Sequence, residues 1–179
     1  MKMIISLIAL LTFSVMACNN SKGTAFSFEK TPERVATVTT VSNTDPIKKL
    51  VKSEEEWRAE LTEKEYYVLR EAGTERAFTG DLLNNKKEGV YTCAGCSLPL
   101  FDSSSKFKSG TGWPSYYQPI EENHIEEIVD NKYGWNRVEV VCASCDGHLG
   151  HVFDDGPQPT GLRYCINSVS LNFVEKESE

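Results

Sequence analysis

Apolar residues follow three regimes along the chain, and each predicts a different kind of structure. After Met1-Lys2-Met3, the stretch from Ile4 to Ala17 is almost continuously apolar; residues 19 to about 50 are rich in Ser, Thr, Asn and Lys and show neither a 2-residue nor a 3.6-residue period. From Ser53 the pattern becomes helical. Ser53 with Glu56 makes a capping box, Trp57 and Leu61 share one face, and Thr62 with Glu65 repeats the box, with Leu61 and Tyr66 at the hydrophobic-staple positions. This second pattern predicts a helix running to Gly73, which offers a C-terminal stop. Beyond Gly73 the signals are turns: Asn84-Asn85, Lys87-Glu88-Gly89, Asn131-Lys132-Tyr133-Gly134 and Asp154-Asp155-Gly156-Pro157. They separate short β-prone runs at Val90 to Thr92, Arg137 to Val141 and Ser168 to Phe173. The expected fold is mainly β, a compact antiparallel domain with a layer of short N-terminal helices and no internal repeat beyond two cysteine pairs.

The apolar leader is too short to span a membrane comfortably, carries Lys2 ahead of it, and ends Val15-Met16-Ala17-Cys18. It resembles a bacterial lipoprotein signal, which implies that Cys18 receives a lipid and becomes the mature N-terminus; an ordinary secretory leader with an incidental Cys18 is the alternative. The expected organisation is a signal peptide over 1–17, a flexible tether over 18–50 and a folded domain over 51–179, lipid-anchored on the extracytoplasmic side of a bacterial cell envelope. A coil of some thirty residues spans about 30 Å, enough to hold a domain clear of the headgroups. The alternative for part of this segment is a strand-like arm around Arg34 to Val41.

A chain of 179 residues, less leader and tether, has room for one domain with a core. Its net charge of −7 becomes −8 once the leader with Lys2 is removed. Such a surface repels phosphate backbones, so nucleic acid is not an expected partner.

The cysteines narrow the chemistry. Cys93 and Cys96 form one C-x-x-C pair and Cys142 and Cys145 another, each following a β-prone run. This doubled spacing predicts four thiolates converging on one structural zinc ion, with paired disulfides as the alternative. With Cys18 at the lipidation site, Cys165 is the one thiol that nothing else claims, and His148 and His151 lie a short way upstream. Between the pairs, Ser109-Gly110-Thr111-Gly112-Trp113-Pro114-Ser115 predicts a loop whose backbone approaches something closely. Trp113 could line a site or lie buried behind the turn, and the histidines could merely satisfy carbonyls.

Taken in order, Cys93-x-x-Cys96, Gly110 to Ser115, Cys142-x-x-Cys145, His148-Leu149-Gly150-His151-Val152-Phe153, Asp155-Gly156-Pro157 and Thr160 to Ser168 closely resemble the B-type methionine sulfoxide reductases. The resemblance covers about residues 53 to 173. It implies a zinc-bearing fold of two antiparallel sheets and reduction of the R epimer of methionine sulfoxide, in oxidised proteins and as the free amino acid.

That chemistry requires a soft nucleophile, a proton donor and an apolar seat for the methyl group. The resemblance implies Cys165 as nucleophile, its pKa lowered by Arg163 and by His148 or His151, these histidines as proton donors, Asn167 holding the network and Trp113 seating the methyl group. Arg163 as an ion-pair residue and Asn167 as a turn residue are the plainer alternatives. Many relatives carry a second cysteine where Thr111 stands, which resolves the sulfenic acid left on the first. Its replacement implies an external reductant, a thioredoxin-like protein or a small thiol. Two other readings fit the cysteines: a zinc-ribbon binding module with Cys165 inert, and a thiol peroxidase.

Overall fold

The computed structural model describes residues 46–131 and 137–177. The leader, Cys18, most of the tether including 34–41, and the turn residues 132–134 lie outside the described residues. No helix among the described residues is long and apolar enough to cross a membrane.

Both expected capping boxes form. Helix α1 (Glu54–Glu60) starts at Ser53, whose side chain accepts from the Glu56 N–H, and α2 (Glu63–Leu69) starts likewise at Thr62 with Glu65. Each box satisfies N–H groups that a helix of only 7 residues would otherwise leave unpaired. Trp57, Tyr66, Val68 and Leu69 carry the apolar face of this layer into the core. The second helix ends earlier than the sequence pattern predicts. Arg70 is its C-cap, and Ala72, not Gly73, takes the left-handed conformation at φ 52°. Gly73 still closes the helix end, its N–H donating to the Tyr67 carbonyl at 3.0 Å, and a Cβ there would displace the half-exposed Tyr67 ring.

Among the described residues nine strands follow: β1 (Gly89–Cys93), β2 (Pro99–Asp102), β3 (Lys106–Phe107), β4 (Ser115–Tyr116), β5 (Ile125–Asp130), β6 (Arg137–Cys142), β7 (His148–Phe153), β8 (Arg163–Ile166) and β9 (Leu171–Glu175). They make a three-stranded sheet, β2-β1-β9, and a six-stranded sheet, β3-β4-β8-β7-β6-β5. Every pairing is antiparallel. The mainly β architecture with two sheets and short N-terminal helices is therefore the one expected.

Aromatic side chains join the sheets. Phe101 of β2 stacks on Tyr116 of β4 with centroids 4.4 Å apart, and Tyr91 of β1 meets Tyr116 edge-on at 5.1 Å. Burying rings of this size stabilises by about 1.5–3 kcal/mol each. The expected strand over Ser168 to Phe173 is shorter. Residues Ser168–Ser170 form a 3-10 turn and the strand begins at Leu171. The Glu75 carboxylate takes the N–H groups of Ser168 and Val169 at 2.6 and 3.1 Å, turning that stretch away from ladder geometry.

Candidate active site and four-cysteine centre

The two C-x-x-C turns have the same backbone construction. Cys93 ends β1 and Cys142 ends β6; the first cysteine of each pair accepts from the N–H four residues on (Ser97 to Cys93 at 2.8 Å, Asp146 to Cys142 at 2.9 Å). Each also donates to the carbonyl five residues on, Leu98 or Gly147. Ser97 and Asp146 hold the left-handed backbone, φ 62° and 56°, that folds each turn back. Facing one another, the turns bring all four sulfurs within 4.8 Å, with Cys93–Cys145 at 3.6 Å and Cys96–Cys142 at 3.4 Å. A regular tetrahedron of sulfurs 2.3 Å from a central ion has edges of about 3.8 Å, so the cluster fits a structural metal site.

Contacts among the sulfurs push the Cys93 and Cys142 thiols up and hold Cys96 and Cys145 down. Four crowded thiols cannot all ionise without a cation between them. The helical layer and the preceding segment close this end of the domain. Arg70 donates to the Cys145 carbonyl at 2.7 Å, and the Leu50 N–H donates to the Ser144 carbonyl at 2.7 Å.

Cys165 lies in β8, between β4 and β7 of the larger sheet, opposite Ser115 on one side and His151 on the other. Directly opposed residues share a face of the sheet. Above the thiol, a loop with left-handed Gly110 (φ 81°) and Gly112 (φ 99°) brings Thr111 Oγ1 to 3.8 Å from Cys165 Sγ. Thr111 is bonded to Ser109 Oγ at 2.8 Å, and Ser109 accepts from Ser115 at 2.8 Å. A chain of hydroxyls thus ends on the sulfur. Gly150 of β7 runs so close to β8 that a Cβ would collide with the Cys165 carbonyl oxygen.

Two histidines three apart on a regular strand point to opposite faces. Here the β6–β7 register shifts between Val140 and Val141, leaving Leu149 as an extra residue in β7. This bulge brings the His148 and His151 rings to 5.4 Å, edge to face. A carboxylate holds each ring: Glu139 Oε1 lies 2.6 Å from His148 Nδ1, and Asp130 Oδ2 lies 3.1 Å from His151 Nε2 while also accepting from Arg137 at 2.7 Å. Burial pushes the His151 pKa down, against the pull of Asp130, so the ring is biased towards its neutral form.

Arg163 is buried beside Cys165 on β8, its guanidinium 4.4 Å from the Phe153 ring centroid and bound to the Asp155 carboxylate by two bonds of 2.7 and 3.0 Å. The expectation of a lowered Cys165 pKa is not met. Burial pushes the thiol up, and it outweighs the Thr111 hydroxyl and the Arg163 charge, which both favour the thiolate. Arg163 is shared with Asp155, and the carboxylate opposes ionisation of the thiol.

Asn167, 3% exposed, gives both side-chain functions to the main chain: Nδ2 donates to the Leu149 carbonyl at 3.0 Å and Oδ1 accepts from the Glu75 N–H at 3.0 Å. It ties the segment around Glu75 to β7. Trp113 is half-buried and donates from Nε1 to the Glu75 carbonyl at 3.2 Å. Glu75 therefore holds Trp113, Asn167 and the Ser168 turn together. Nothing in the sequence marks it, because it lies in a loop with no period and all three partners are distant in the chain. Asp130 and Glu139 were missed likewise; alternation along β5 and β6 marks them only as strand residues.

The family model described as SelR domain matches residues 61–175. The chain is 57% identical over 129 residues to the peptide methionine sulfoxide reductase MsrB of Methanosarcina mazei, covering 72% of this chain and 92% of the relative. It is 52% identical over 130 residues to the protein of the same name from Pseudomonas aeruginosa, covering 73% and 98%. Peptide methionine sulfoxide reductase B1, chloroplastic, of Arabidopsis thaliana is 59% identical over 126 residues, covering 69% of this chain and 62% of the relative. The matched span contains both cysteine turns, the histidine strand and Cys165, and on that ground the chain belongs to the SelR domain family.

Proposed function

We propose that this chain reduces the R epimer of methionine sulfoxide, in oxidised proteins and as the free amino acid, with Cys165 as the nucleophile. Family membership and relatives named for this activity support reduction of methionine sulfoxide. One observation carries the finer reading: the Cys165 sulfur stands apart from the four-sulfur cluster, 3.8 Å from the Thr111 hydroxyl and opposite His151. The Cys165 thiolate attacks the sulfoxide sulfur while His148 or His151 supplies a proton to the oxygen. The attack joins the two sulfurs and the protonated oxygen leaves as water; a water molecule then adds to the Cys165 sulfur as the S–S bond breaks with its electron pair returning to methionine, a proton is released, and Cys165 is left as a sulfenic acid. Trp113 seats the methyl group; Asn167 and Glu75 fix its position. Arg163 favours the thiolate, against the burial that opposes it.

Thr111 stands where a resolving cysteine would have to approach, so no disulfide cycle within this chain resolves the sulfenic acid. An external thiol, from a small molecule or a thioredoxin-like protein, displaces water from it; a second thiol releases Cys165 as the mixed disulfide is reduced. Cys93, Cys96, Cys142 and Cys145 would hold zinc, which supplies folding free energy and, with four sulfur ligands, no open position for catalysis. The leader supports attachment through lipidated Cys18 to a bacterial envelope membrane, on its extracytoplasmic side; Cys18→Ala is expected to release the protein from membranes or leave it unprocessed.

The test is to offer purified protein, with dithiothreitol, R-methionine sulfoxide, S-methionine sulfoxide and hydrogen peroxide separately. Turnover of the R epimer alone is expected. Preferred turnover of peroxide would favour a thiol peroxidase, and no turnover of any of the three a binding module.

A further inference from the structure

A cleft of about 790 Å³ adjoins the loop above Cys165. Cys165 is not in its wall, but Trp113 and Gly112 are, so the cleft begins at the residue assigned to the methyl seat and extends towards the 83–88 loop and β3. Its wall includes Phe78, which combines two locally unfavourable features. The backbone of Phe78 is left-handed at φ 66°, uncommon for a bulky side chain, and its ring is 69% exposed. The Phe78 N–H donates to the Gly112 carbonyl at 2.8 Å, which fixes the ring beside the Trp113 loop. An aromatic held in strain and in water, next to a substrate seat, is a surface waiting for an apolar contact.

The rim of the cleft is basic although the protein carries net charge −7. Lys86, Lys87, Lys106, Lys108 and Lys176 line it, against Glu88 and Asp102. Lys106 is spent on structure, donating to the Leu82, Leu83 and Asn85 carbonyls at 2.5, 3.2 and 2.8 Å, and Lys87 pairs with Glu175 at 2.6 Å. Lys176 lies close enough to Asp102 to favour its carboxylate. Lys86 and Lys108 are exposed and make no ion pair among the described residues.

We propose that this cleft binds the polypeptide flanking the oxidised methionine and selects segments that carry carboxylates there, through Lys86 and Lys108, with Phe78 covering the apolar part of the chain. The inference rests on the reading of Cys165 as the reductase nucleophile. Charge complementarity identifies the occupant: an acidic protein that keeps a lysine rim beside its substrate seat attracts the sign of charge that the rest of its surface repels.

The experiment measures kcat/KM for R-sulfoxide peptides of equal length whose flanking residues are either Asp and Glu or Lys, within each of three proteins: wild type, Lys86→Glu/Lys108→Glu, and Phe78→Ser. In wild type the acid-flanked peptide is expected to be favoured about tenfold, mainly through KM, the scale of one or two partly exposed ion pairs. The preference should shrink in 1 M salt, where the screening length is about 3 Å. In the double lysine variant the ratio should reverse; in Phe78→Ser it should persist while KM rises for both peptides. Because each ratio is internal to one protein, a partly unfolded preparation does not disturb it. A wild-type ratio of one, or a ratio unmoved by the double substitution, would overturn the cleft assignment while leaving the reductase intact. Absence of turnover with every R-sulfoxide would remove the reductase reading and this inference with it.

Discussion

Five cysteines lie among the described residues, and the two regions that hold them treat the same side chain in opposite ways. Two end strands and two lie in the turns that follow, whose left-handed residues fold the sulfurs towards one another. The fifth sits inside a strand, with the Thr111 hydroxyl and the Arg163 guanidinium beside its sulfur and His151 opposite on the next strand. Four thiols whose nearest polar partners are one another fit a shared cation. A thiol flanked by oxygen and nitrogen donors lacks that crowding, and in the proposed function it is the nucleophile. Burial is common to both regions and does not distinguish them; the neighbours do.

The most severe break in this comparison is to remove one sulfur from the cluster. Cys142→Ser is expected to abolish cooperative folding, because structural zinc binding supplies on the order of 10 kcal/mol or more. Circular dichroism and metal content read this; an unchanged melting curve in a metal-free protein would sink the structural assignment. Removing the other kind of thiol should do the reverse. Cys165→Ser is expected to abolish R-sulfoxide reduction while moving the melting midpoint by no more than about 2 °C and leaving one zinc per chain.

A smaller loss is expected at the paired rings. His148→Gln and His151→Gln should each lower kcat by about 10²–10⁴-fold, the usual range for positioned proton transfer. Equal and modest KM changes in both, with kcat intact, would argue that the rings only seat substrate.

Thr111 sharpens the comparison further. In wild type, excess R-sulfoxide without reductant should release about one methionine per chain, label Cys165 with a sulfenic-acid probe and form no disulfide. Thr111→Cys should create a disulfide to Cys165 if the Cβ atoms reach about 4 Å. A Cys165 disulfide in the wild-type chain would contradict the assignment.

The mildest effect concerns ionisation. Burial raises the Cys165 pKa, so its thiolate fraction grows as pH rises through and beyond the ordinary thiol range, and iodoacetamide alkylation should accelerate along the same course. Thr111→Val removes a hydroxyl that favours the thiolate and should shift this profile to still higher pH, slowing alkylation a few-fold at a fixed pH. A profile already flat at neutral pH would show that the charge of Arg163 outweighs burial after all.

Much of this was legible in the sequence where the signal is local. The capping boxes at Ser53 and Thr62 need only a residue and its neighbour three positions on, and both formed. The C-x-x-C turns likewise carry their geometry within six residues. Expectations weakened where a distant partner intervened. The Ser168 to Phe173 run has strand composition, but the carboxylate of Glu75, more than ninety positions away, draws its first residues into a turn. Gly73 does close the second helix, through its N–H to the Tyr67 carbonyl, but the left-handed residue of the turn is Ala72.

The candidate site divides along the same line. Residue types and spacing alone single out Cys165 as the unclaimed thiol with His148 and His151 nearby, and pair the other four cysteines of the domain; Arg163, Asn167 and Trp113 receive their roles from the family resemblance. Tertiary structure alone decides that a bulge at Leu149 brings the two histidines together, that Thr111 closes on the sulfur, and that burial outweighs Arg163 in setting the thiol's ionisation. The physical reason is range. Caps, turns and ligand spacing arise from residues within a few positions of one another, so their signals survive in the linear order; register, desolvation and shared hydrogen-bond partners arise between segments that meet only once the sheets have closed.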